Sequence, residues 1–516
     1  MTSPRVLFVG LDAADPGLLA EGCAQGWLPV LEGLRRDGAW APVSVPRGFG
    51  DGAIWPSLIF GVNPGKHGRY FNRQLRRGSY TAVPFVEDTD FDRKPVWEYL
   101  SEAGRRVAVI DMVKAPLSKR LNGIQIVDWT VHSRYGVPRS RPAGLMSEVI
   151  DRYGPDPFDG RTDVFKVRTA EEYKAFRDAM IDRAHAKAAL CRQLLKHDSW
   201  DLFAVGFGDS HDIGHQCWHL HDPAHSMHDA EWVERFGDPV KDVYAAVDRA
   251  LGTLLEQTGP QTTTVVFAGP GMGPNYSGNF LLDTILRRID GRPDSDRNLI
   301  PHAIVTRAPF RALRRLGERV NHAKGMYHMR RRRSFSVPHN EGAGAIRLNV
   351  IGREPAGCIA PGAECAAACD AITRDLLDVV DVDTGKPVFR EVFRVADETH
   401  GERSGDLPDL FAVWAIHDRP FRAVRSAKIG TVTGSPVVGA RPGDHNWDCA
   451  LFVRSAAVAE QWKLRDETKV EDLAPTIAAL LDTEFPDCDG ASLLRDARTG
   501  GSEDTMRHGR RSLTTS

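Results

Sequence analysis

Histidine and aspartate side chains are concentrated at four places in the sequence, each after an apolar run or inside a glycine-rich loop. The first lies just after the run 5–10, the second in the loop 48–68, the third in segment 209–222 and the fourth in segment 441–445. The candidate functional residues at these places are Asp12, Asp51, Asn63, Lys66, Asp209, His211, His215 and His445.

The pair His211 and His215 indicates metal chemistry because the two residues are four positions apart. On a helix this spacing puts both imidazole rings on one face, with their Cβ atoms about 5–6 Å apart. Such a pair can hold a zinc-like ion when a third ligand comes from elsewhere in the chain. His219 and His221 extend the cluster and are interpreted as surface residues or as residues behind the ligands.

Taken singly, two of the other candidates have ordinary structural interpretations. Asp12 could be a helix N-cap or a loop acid, since aspartate is common in both roles. His445 could be an unexceptional loop histidine. A functional site is favoured because all four polar places follow predicted strands or lie in glycine-rich loops, so that they can share one edge of a sheet.

The elements that must position these residues alternate between strands and helices. Short apolar runs predict buried strands, and longer periodic stretches predict helices. This alternation predicts an α/β fold with a doubly wound, mostly parallel sheet. In such sheets, ligands bind at the carboxyl ends of the strands. The predicted strands are 5–10, 106–110, 201–207, 263–267, 345–350, 410–414 and 450–453, and the main helices are 16–36, 171–196, 242–257 and 470–481.

Composition excludes several classes of protein. The chain has 516 residues, with 67 Lys and Arg against 69 Asp and Glu, and a formal net charge of -2. This balance argues against a globally basic protein that binds nucleic-acid polymers. The eight cysteines are scattered without a CxxC pair, so neither a disulfide scaffold nor a cysteine-rich zinc site is expected. The sequence has no signal-peptide pattern and no membrane-length apolar stretch, and a cytoplasmic location is predicted.

The pattern changes between residues 276 and 401, which we interpret as an insertion that caps the site. The α/β core is then discontinuous, comprising 1–275 and 402–495, and residues 496–516 form a tail expected to be disordered. The insertion contains a strongly basic stretch, interpreted either as a solvated helical face or as a patch for an anionic substrate. Its basic residues are Arg307, Arg311, Arg314, Arg315, Arg319, Lys324 and Arg330–Arg333.

With these motifs in view, the sequence resembles the alkaline phosphatase superfamily, and within it the type I phosphodiesterase/nucleotide pyrophosphatase branch. The resemblance extends from about residue 5 to residue 494. It implies the fold described above, a metal-dependent phosphoesterase activity and a cap that sets substrate choice. The motifs that carry it are Gly10-Leu11-Asp12, the loop 51–68 with its ending Gly61-x-x-Pro64-x-x-His67-Gly68, His211-x-x-x-His215, Ala268–Gly273, Ile346–Pro355 and Gly443-Asp444-His445.

The resemblance also implies where this chain departs from active relatives, which hold two zinc-like ions. For one ion, the matching residues are His211, His215 and His445, with His211 standing where relatives have aspartate. Three histidines still make a zinc site with an open position. For the other ion, Asp12 is present, but Gly269 and Pro270 replace an aspartate and a histidine. That second site is expected to be lost, or rebuilt from Asp12, Asp51 and Asp209.

Asp51 occupies the position of the threonine or serine nucleophile in relatives. A carboxylate needs no deprotonation, so Asp51 could attack directly, as in aspartyl-phosphate chemistry. It could equally ligate a metal or act as a general base. The structural alternative is that Asp51 caps a turn in the loop 48–52.

The leading hypothesis is therefore a phosphoesterase, or a phosphoryl or nucleotidyl transferase, with one zinc-like ion and a small anionic substrate. Asp12 and Asp51 are its candidate catalytic residues, Asp12 also a candidate metal ligand. Asn63, Lys66, Asp209 and Arg330 are its candidate substrate contacts. A second hypothesis is an enzyme of the same fold that performs a non-phosphate group transfer or condensation. A third is a non-catalytic relative that binds an anion or a protein.

Overall fold

The computed structural model describes residues 5–131, 137–158, 162, 165–292, 328–340, 342–417, 419–434, 440–456, 462–464 and 467–495. The predicted tail 496–516 and the basic residues between Arg307 and Lys324 lie outside the described residues. The strands are β1 (Val6–Asp12), β2 (Ala39–Pro42), β3 (Arg73–Leu75), β4 (Ala82–Pro84), β5 (Val107–Ile110), β6 (Gly123–Val127), β7 (Arg139–Arg141), β8 (Leu202–Phe207), β9 (Thr263–Gly269), β10 (Met272–Pro274), β11 (Ser334–Val337), β12 (Ala343–Leu348), β13 (Val380–Asp381), β14 (Phe389–Arg394), β15 (Leu410–Trp414), β16 (Ala423–Ser426), β17 (Gly430–Thr433), β18 (Gly443–His445) and β19 (Ala450–Arg454).

The α-helices pack around and between two main sheets. None of the helices among the described residues is both long and apolar enough to cross a lipid bilayer. They are α1 (Pro16–Gln25), α2 (Pro29–Asp37), α3 (Asp51–Phe60), α4 (Pro64–His67), α5 (Glu87–Asp90), α6 (Val96–Glu102), α7 (Leu145–Tyr153), α8 (Ala170–His197), α9 (Asp209–His221), α10 (Ala230–Phe236), α11 (Pro239–Leu255), α12 (Asn279–Ile289), α13 (Ala363–Leu377) and α14 (Leu473–Leu480).

The central sheet has the strand order β2-β19-β9-β1-β8-β5-β6-β7. The five strands from β9 to β6 run parallel, and antiparallel strands close both edges. All seven residues of β1 are buried, as expected for a strand with helices on both sides. The predicted α/β fold with a mostly parallel, doubly wound sheet is confirmed.

Alternate residues of β1 enter the two cores that sandwich the central sheet, because successive strand side chains point to opposite faces. Leu7 and Val9 pack with apolar residues of α1, α2, α8, α9 and α11. Val6 and Phe8 pack on the other face with residues of α3, α6 and α14. Burial of these apolar faces, at roughly 25 cal/mol per Å², holds the three layers together.

A second sheet, of order β11-β12-β15-β14, forms a separate layer with its own apolar core. Helices α12 and α13 supply Leu282 and Ile372 to that core. The strand β15 (Leu410–Trp414), which the sequence analysis assigned to the main core, pairs instead with β12 and β14. This pairing places β15 in the second sheet, while the domain boundary at residue 401 stays a prediction. An apolar run of five residues cannot reveal which of two sheets will bury it.

The carboxyl ends of three neighbouring strands coincide and define the functional edge of the central sheet. Leu11 in β1 is in register with Phe207 in β8, and Asp12 is in register with Gly269 in β9. Helix α9 begins at Asp209, two residues after β8 ends. The polar residues that follow these strands are thereby brought to one place.

Gly206, near the carboxyl end of β8, provides a test of how tightly this edge is packed. A Cβ atom at Gly206 would lie 2.3 Å from the backbone oxygen of Asp111 on the neighbouring chain segment. Gly206→Ala is therefore expected to lower the free energy of unfolding by about 1–3 kcal/mol. Urea denaturation measures this change.

The matched control is Gly33→Ala in helix α2, where nothing lies within 4 Å of the added Cβ atom. Helix propensity predicts that this change leaves stability unaltered or raises it by up to about 1 kcal/mol. Equal stabilities for the two variants would contradict the packing described for β8.

Candidate active site

Asp12 is the carboxylate at the end of β1 and is fully buried. The indole Nε1 of Trp55 donates a 2.7 Å hydrogen bond to Asp12 Oδ1, whereas Oδ2 has no partner among the described residues. Burial raises the pKa of Asp12 to about 6; Asp51 also raises it, while His211 and Lys114 lower it. A buried carboxylate oxygen without a donor is a candidate ligand for a cation.

Three histidines form a compact cluster beside Asp12. Helix α9 carries His211 and His215 one turn apart, and β18 supplies His445. Their ring centroids are 4.4 to 5.1 Å apart, and one ligating atom from each ring lies within 4.8 Å of the other two. The i, i+4 pair and the distant third histidine are thus brought together, as a three-histidine site requires.

The orientation and protonation of the rings suit metal binding. His215 Nδ1 lies 2.8 Å from the carbonyl oxygen of Gly443, and its Nε2 has no partner among the described residues. Burial lowers the pKa of His215 well below its ordinary value and that of His445 to about 4. Neutral imidazoles with unshared ring nitrogens are the form that binds divalent metals, so the residues fit a zinc-like ion.

A buried ion-pair network stands behind His211. Asp212 Oδ1 lies 3.2 Å from His211 Nδ1, and the guanidinium of Arg183 in α8 contacts Asp212 Oδ2 at 2.8 Å. A carboxylate behind a ligating histidine fixes the ring orientation and raises its basicity. Arg183 Nε also binds Asp209 Oδ1 at 2.7 Å, so this carboxylate, predicted as a substrate or metal contact, is engaged in supporting the network.

The strand position opposite Asp12 has no room for a second ligand. Gly269 has a φ of +141°, and a Cβ atom there would lie 2.3 Å from the sulfur of Cys449. Pro270 follows and offers no side-chain donor atom. Positions 269 and 270 therefore offer no side-chain ligand, and position 269 has no room for one.

Asp51 is the first residue of α3, after the N-cap Gly50, and its side chain is 7% exposed. Its Oδ2 lies 3.4 Å from Nζ of Lys114, whose side chain is 4% exposed. The N-terminal end of a helix and a nearby ammonium group both favour the ionised carboxylate.

Lys114 was missed in the sequence analysis. It follows β5 at the same edge of the sheet, and its φ of 55° is unusual for a residue other than glycine. Such strained backbones cluster at functional sites. The sequence signal that could have identified Lys114 was its place four residues after a predicted strand. Asp111, which directly follows that strand, is instead paired with Lys187 in the core, at 3.0 Å.

Three predicted substrate contacts lie elsewhere. Asn63 caps α4, and both its backbone N–H and its side-chain amide donate to Asp489. Lys66 pairs with the same carboxylate. Since α3 separates these residues from Asp51 by about 15 Å of helix, they clamp the C-terminal segment. Arg330 is exposed.

A groove of about 570 Å³ opens beside His445. Aromatic side chains line much of it, and Arg390 adds a positive charge. Gly342, from the turn between β11 and β12, forms part of the wall, so the second sheet borders the site. The aromatic residues are Trp218, Tyr276, Trp414 and Trp447.

The fold and this cluster agree with a comparison against known families. The family model for type I phosphodiesterase / nucleotide pyrophosphatase matches residues 6–430. The chain belongs to this family, and the resemblance inferred from its motifs is confirmed. No curated protein matches the chain.

Solved structures resemble the chain at low sequence identity. Phosphonoacetate hydrolase from Sinorhizobium meliloti 1021, in complex with phosphonoformate, has 15% identity and a TM-score of 0.50, covering 93% of this chain and 96% of that one. Its phosphonoacetate complex has 14% identity and a TM-score of 0.51, with the same coverage. A murine ectonucleotide pyrophosphatase / phosphodiesterase in complex with AMP has 12% identity and a TM-score of 0.45, covering 96% of this chain and 100% of that one. The two phosphonoacetate hydrolase structures show the shared fold.

The raised pKa of Asp12 makes a prediction for the metal-free protein. Its folded-state value of about 6 exceeds the ordinary 3.8, so its contribution to stability is complete below pH 3.8 and is lost as the pH rises through 6. Asp12→Asn abolishes this loss and is expected to stabilise the protein at about pH 8, by at most on the order of 3 kcal/mol. Melting temperatures of chelator-treated samples at about pH 8 and pH 4 measure the effect. A variant less stable than the wild type at the higher pH would contradict it.

Proposed function

We propose that this chain is a phosphoesterase that uses one zinc-like ion held by His211, His215 and His445. The observation that carries the proposal is the cluster of three buried imidazoles, with ligating atoms within 4.8 Å of one another. Membership of the phosphodiesterase family supports phosphate ester chemistry. The phosphonoacetate hydrolase of similar fold was solved with small phosphonates, which supports a small anionic substrate.

The metal and the polypeptide would divide the work. A zinc-like ion bound by the three histidines supplies Lewis-acid stabilisation of oxygen atoms on the phosphoryl group. Burial around the histidines excludes water, which strengthens each electrostatic contact with a bound ester. Arg183 and Asp212 keep the ring of His211 oriented during turnover.

We propose that Asp51 either activates the oxygen that attacks phosphorus or supplies that oxygen itself. As a general base it takes a proton from water or from an acceptor hydroxyl while that oxygen bonds to phosphorus and the ester alcohol leaves. As a nucleophile its own carboxylate oxygen bonds to phosphorus while the ester alcohol leaves and takes up a proton from water; water or the acceptor hydroxyl then cleaves the aspartyl phosphate. Both roles need the ionised carboxylate, which Lys114 favours across 3.4 Å. Transfer to an acceptor hydroxyl uses the same groups as hydrolysis, with the acceptor in place of water.

Lys114 supplies a fixed positive charge beside Asp51 and close enough to Asp12 to act on it. Its ammonium group lowers the pKa of Asp12, opposing the effect of burial. A permanent cation beside two carboxylates also offers a partner for a non-bridging phosphoryl oxygen. Lys114 is therefore proposed as a substrate contact that offsets the charge of the missing ion.

His215→Ala tests the proposal because it removes one ligand from the centre of the cluster. The wild type is expected to contain about one zinc-like ion per chain, and the variant none, since two histidines alone rarely retain zinc. Hydrolysis of bis(p-nitrophenyl) phosphate should fall to background in the variant. Metal analysis and the chromogenic assay are run on the same samples.

His221→Ala is the matched control on the same helix, because His221 Nδ1 binds Asp238 at 2.7 Å. This variant should keep both metal and activity. A stoichiometry of two would exclude the single-metal site. An enzyme that turns over a non-phosphate substrate, while leaving phosphate and sulfate esters untouched, would instead support the alternative chemistry.

A further inference from the structure

The turn between β11 and β12 brings its residues against both Gly50, next to Asp51, and the strand that carries His445. A Cβ atom at Gly50, next to Asp51, would lie 2.2 Å from the amide nitrogen of Asn340. On the other side of the turn, a Cβ atom at Gly342 would lie 3.1 Å from the backbone oxygen of His445. The tip of this hairpin therefore lies between the start of α3 and the strand that carries the third histidine.

His339 is held rigidly at this tip. Its ring packs against the ring of Phe411, with centroids 4.7 Å apart, and its side is covered by Phe71 at 6.0 Å. Nδ1 lies 3.1 Å from the carbonyl oxygen of Ala343, so this nitrogen carries the proton of the neutral ring. The residue is 8% exposed, and its Nε2 has no hydrogen-bond partner among the described residues.

Asn340 presents a second unpaired acceptor. It is 3% exposed, and its Oδ1 has no partner within the described part of the chain. Its backbone oxygen accepts a 2.9 Å hydrogen bond from the side chain of Asn279 in α12, which anchors the tip to the second sheet's helix. A buried acceptor without a donor is destabilising until a donor arrives, and this turn carries two of them.

Two carboxylates lie near this tip, and each has a basic partner: Asp51 pairs with Lys114, and Asp444 pairs with Arg441. An anionic group has no donor to meet at Nε2 of His339 or Oδ1 of Asn340. An O–H or N–H group satisfies these vacant acceptors.

We propose that His339 and Asn340 bind the alcohol part of the substrate, and that this part carries a hydroxyl or ammonium donor close to the ester. The proposal rests on the function proposed above, since it places this donor beside Asp51 and the three histidines. The substrate is then a phosphate ester of a polyol or an amino alcohol rather than of a simple alkyl alcohol. The second sheet thereby selects the substrate while the central sheet supplies the reactive groups.

Calorimetric titration of the zinc-loaded full chain with three probes tests this selection. n-Propyl phosphate lacks a donor, glycerol 3-phosphate offers hydroxyl groups, and 3-aminopropyl phosphate offers an ammonium group. One or both donor-bearing probes are expected to bind about tenfold more tightly than propyl phosphate, as one or two hydrogen bonds predict. The preferred probe identifies which donor the site takes.

His339→Phe and Asn340→Ala should each reduce this preference by about five- to tenfold and leave propyl phosphate affinity unchanged. The phenylalanine ring keeps the packing on Phe411, and melting temperatures check that both variants fold. His185→Phe, at an exposed position of α8, is the control and should keep the preference.

Equal affinities for all three probes, or a preference that survives both substitutions, would overturn the proposal. Zinc content and turnover of bis(p-nitrophenyl) phosphate report separately on the proposed function. A protein with zinc and turnover but no donor preference refutes the role of the hairpin alone. A donor preference without zinc or turnover supports that role and refutes the single-metal esterase.

Discussion

Desolvation at the carboxyl edge of the central sheet is the constraint on which the rest of the site depends. His211, His215 and His445 are buried against one another, and burial lowers the pKa of both His215 and His445. Nε2 of His215 and Nδ1 of His445 have no hydrogen-bond partner among the described residues, which is a cost that the stability of the surrounding layers must offset. Arg183 in α8 pairs with Asp209 and Asp212 of α9, and this network orients His211. Tight binding of a cation requires imidazoles that are neutral, correctly oriented and shielded from solvent.

The same edge supports the proposal that one cation suffices in this chain. Gly269 is pressed against Cys449, so the strand opposite Asp12 offers backbone only. Lys114, from the segment after β5, lies 3.4 Å from Asp51 and compensates its charge. In the proposed site, the ammonium group of Lys114 and one bound metal ion together stabilise the negative charge of the carboxylates and the substrate. Asp51, at the position that matches the nucleophile of relatives, fits this arrangement because a carboxylate beside a lysine needs no metal to be ionised.

Local patterns predicted much of this molecule, whereas contacts distant in sequence were out of reach. Buried apolar runs predicted the parallel sheet, and the four-residue spacing of His211 and His215 predicted their shared helix face. Lys66 was predicted as a substrate contact, and the sequence could not reveal its ion pair with Asp489, which lies 423 residues away. His339 escaped notice because nothing in its neighbouring sequence reveals that the hairpin tip reaches Asp51. Such pairings depend on how two sheets pack, which no local periodicity encodes.

Anomalous scattering from a crystal grown with zinc tests the central claim most directly. The account predicts one peak, within coordination distance of His211, His215 and His445, and no peak between Asp12 and Gly269. A second peak beside Asp12, or an empty histidine cluster in zinc-containing crystals, would contradict a single-metal site.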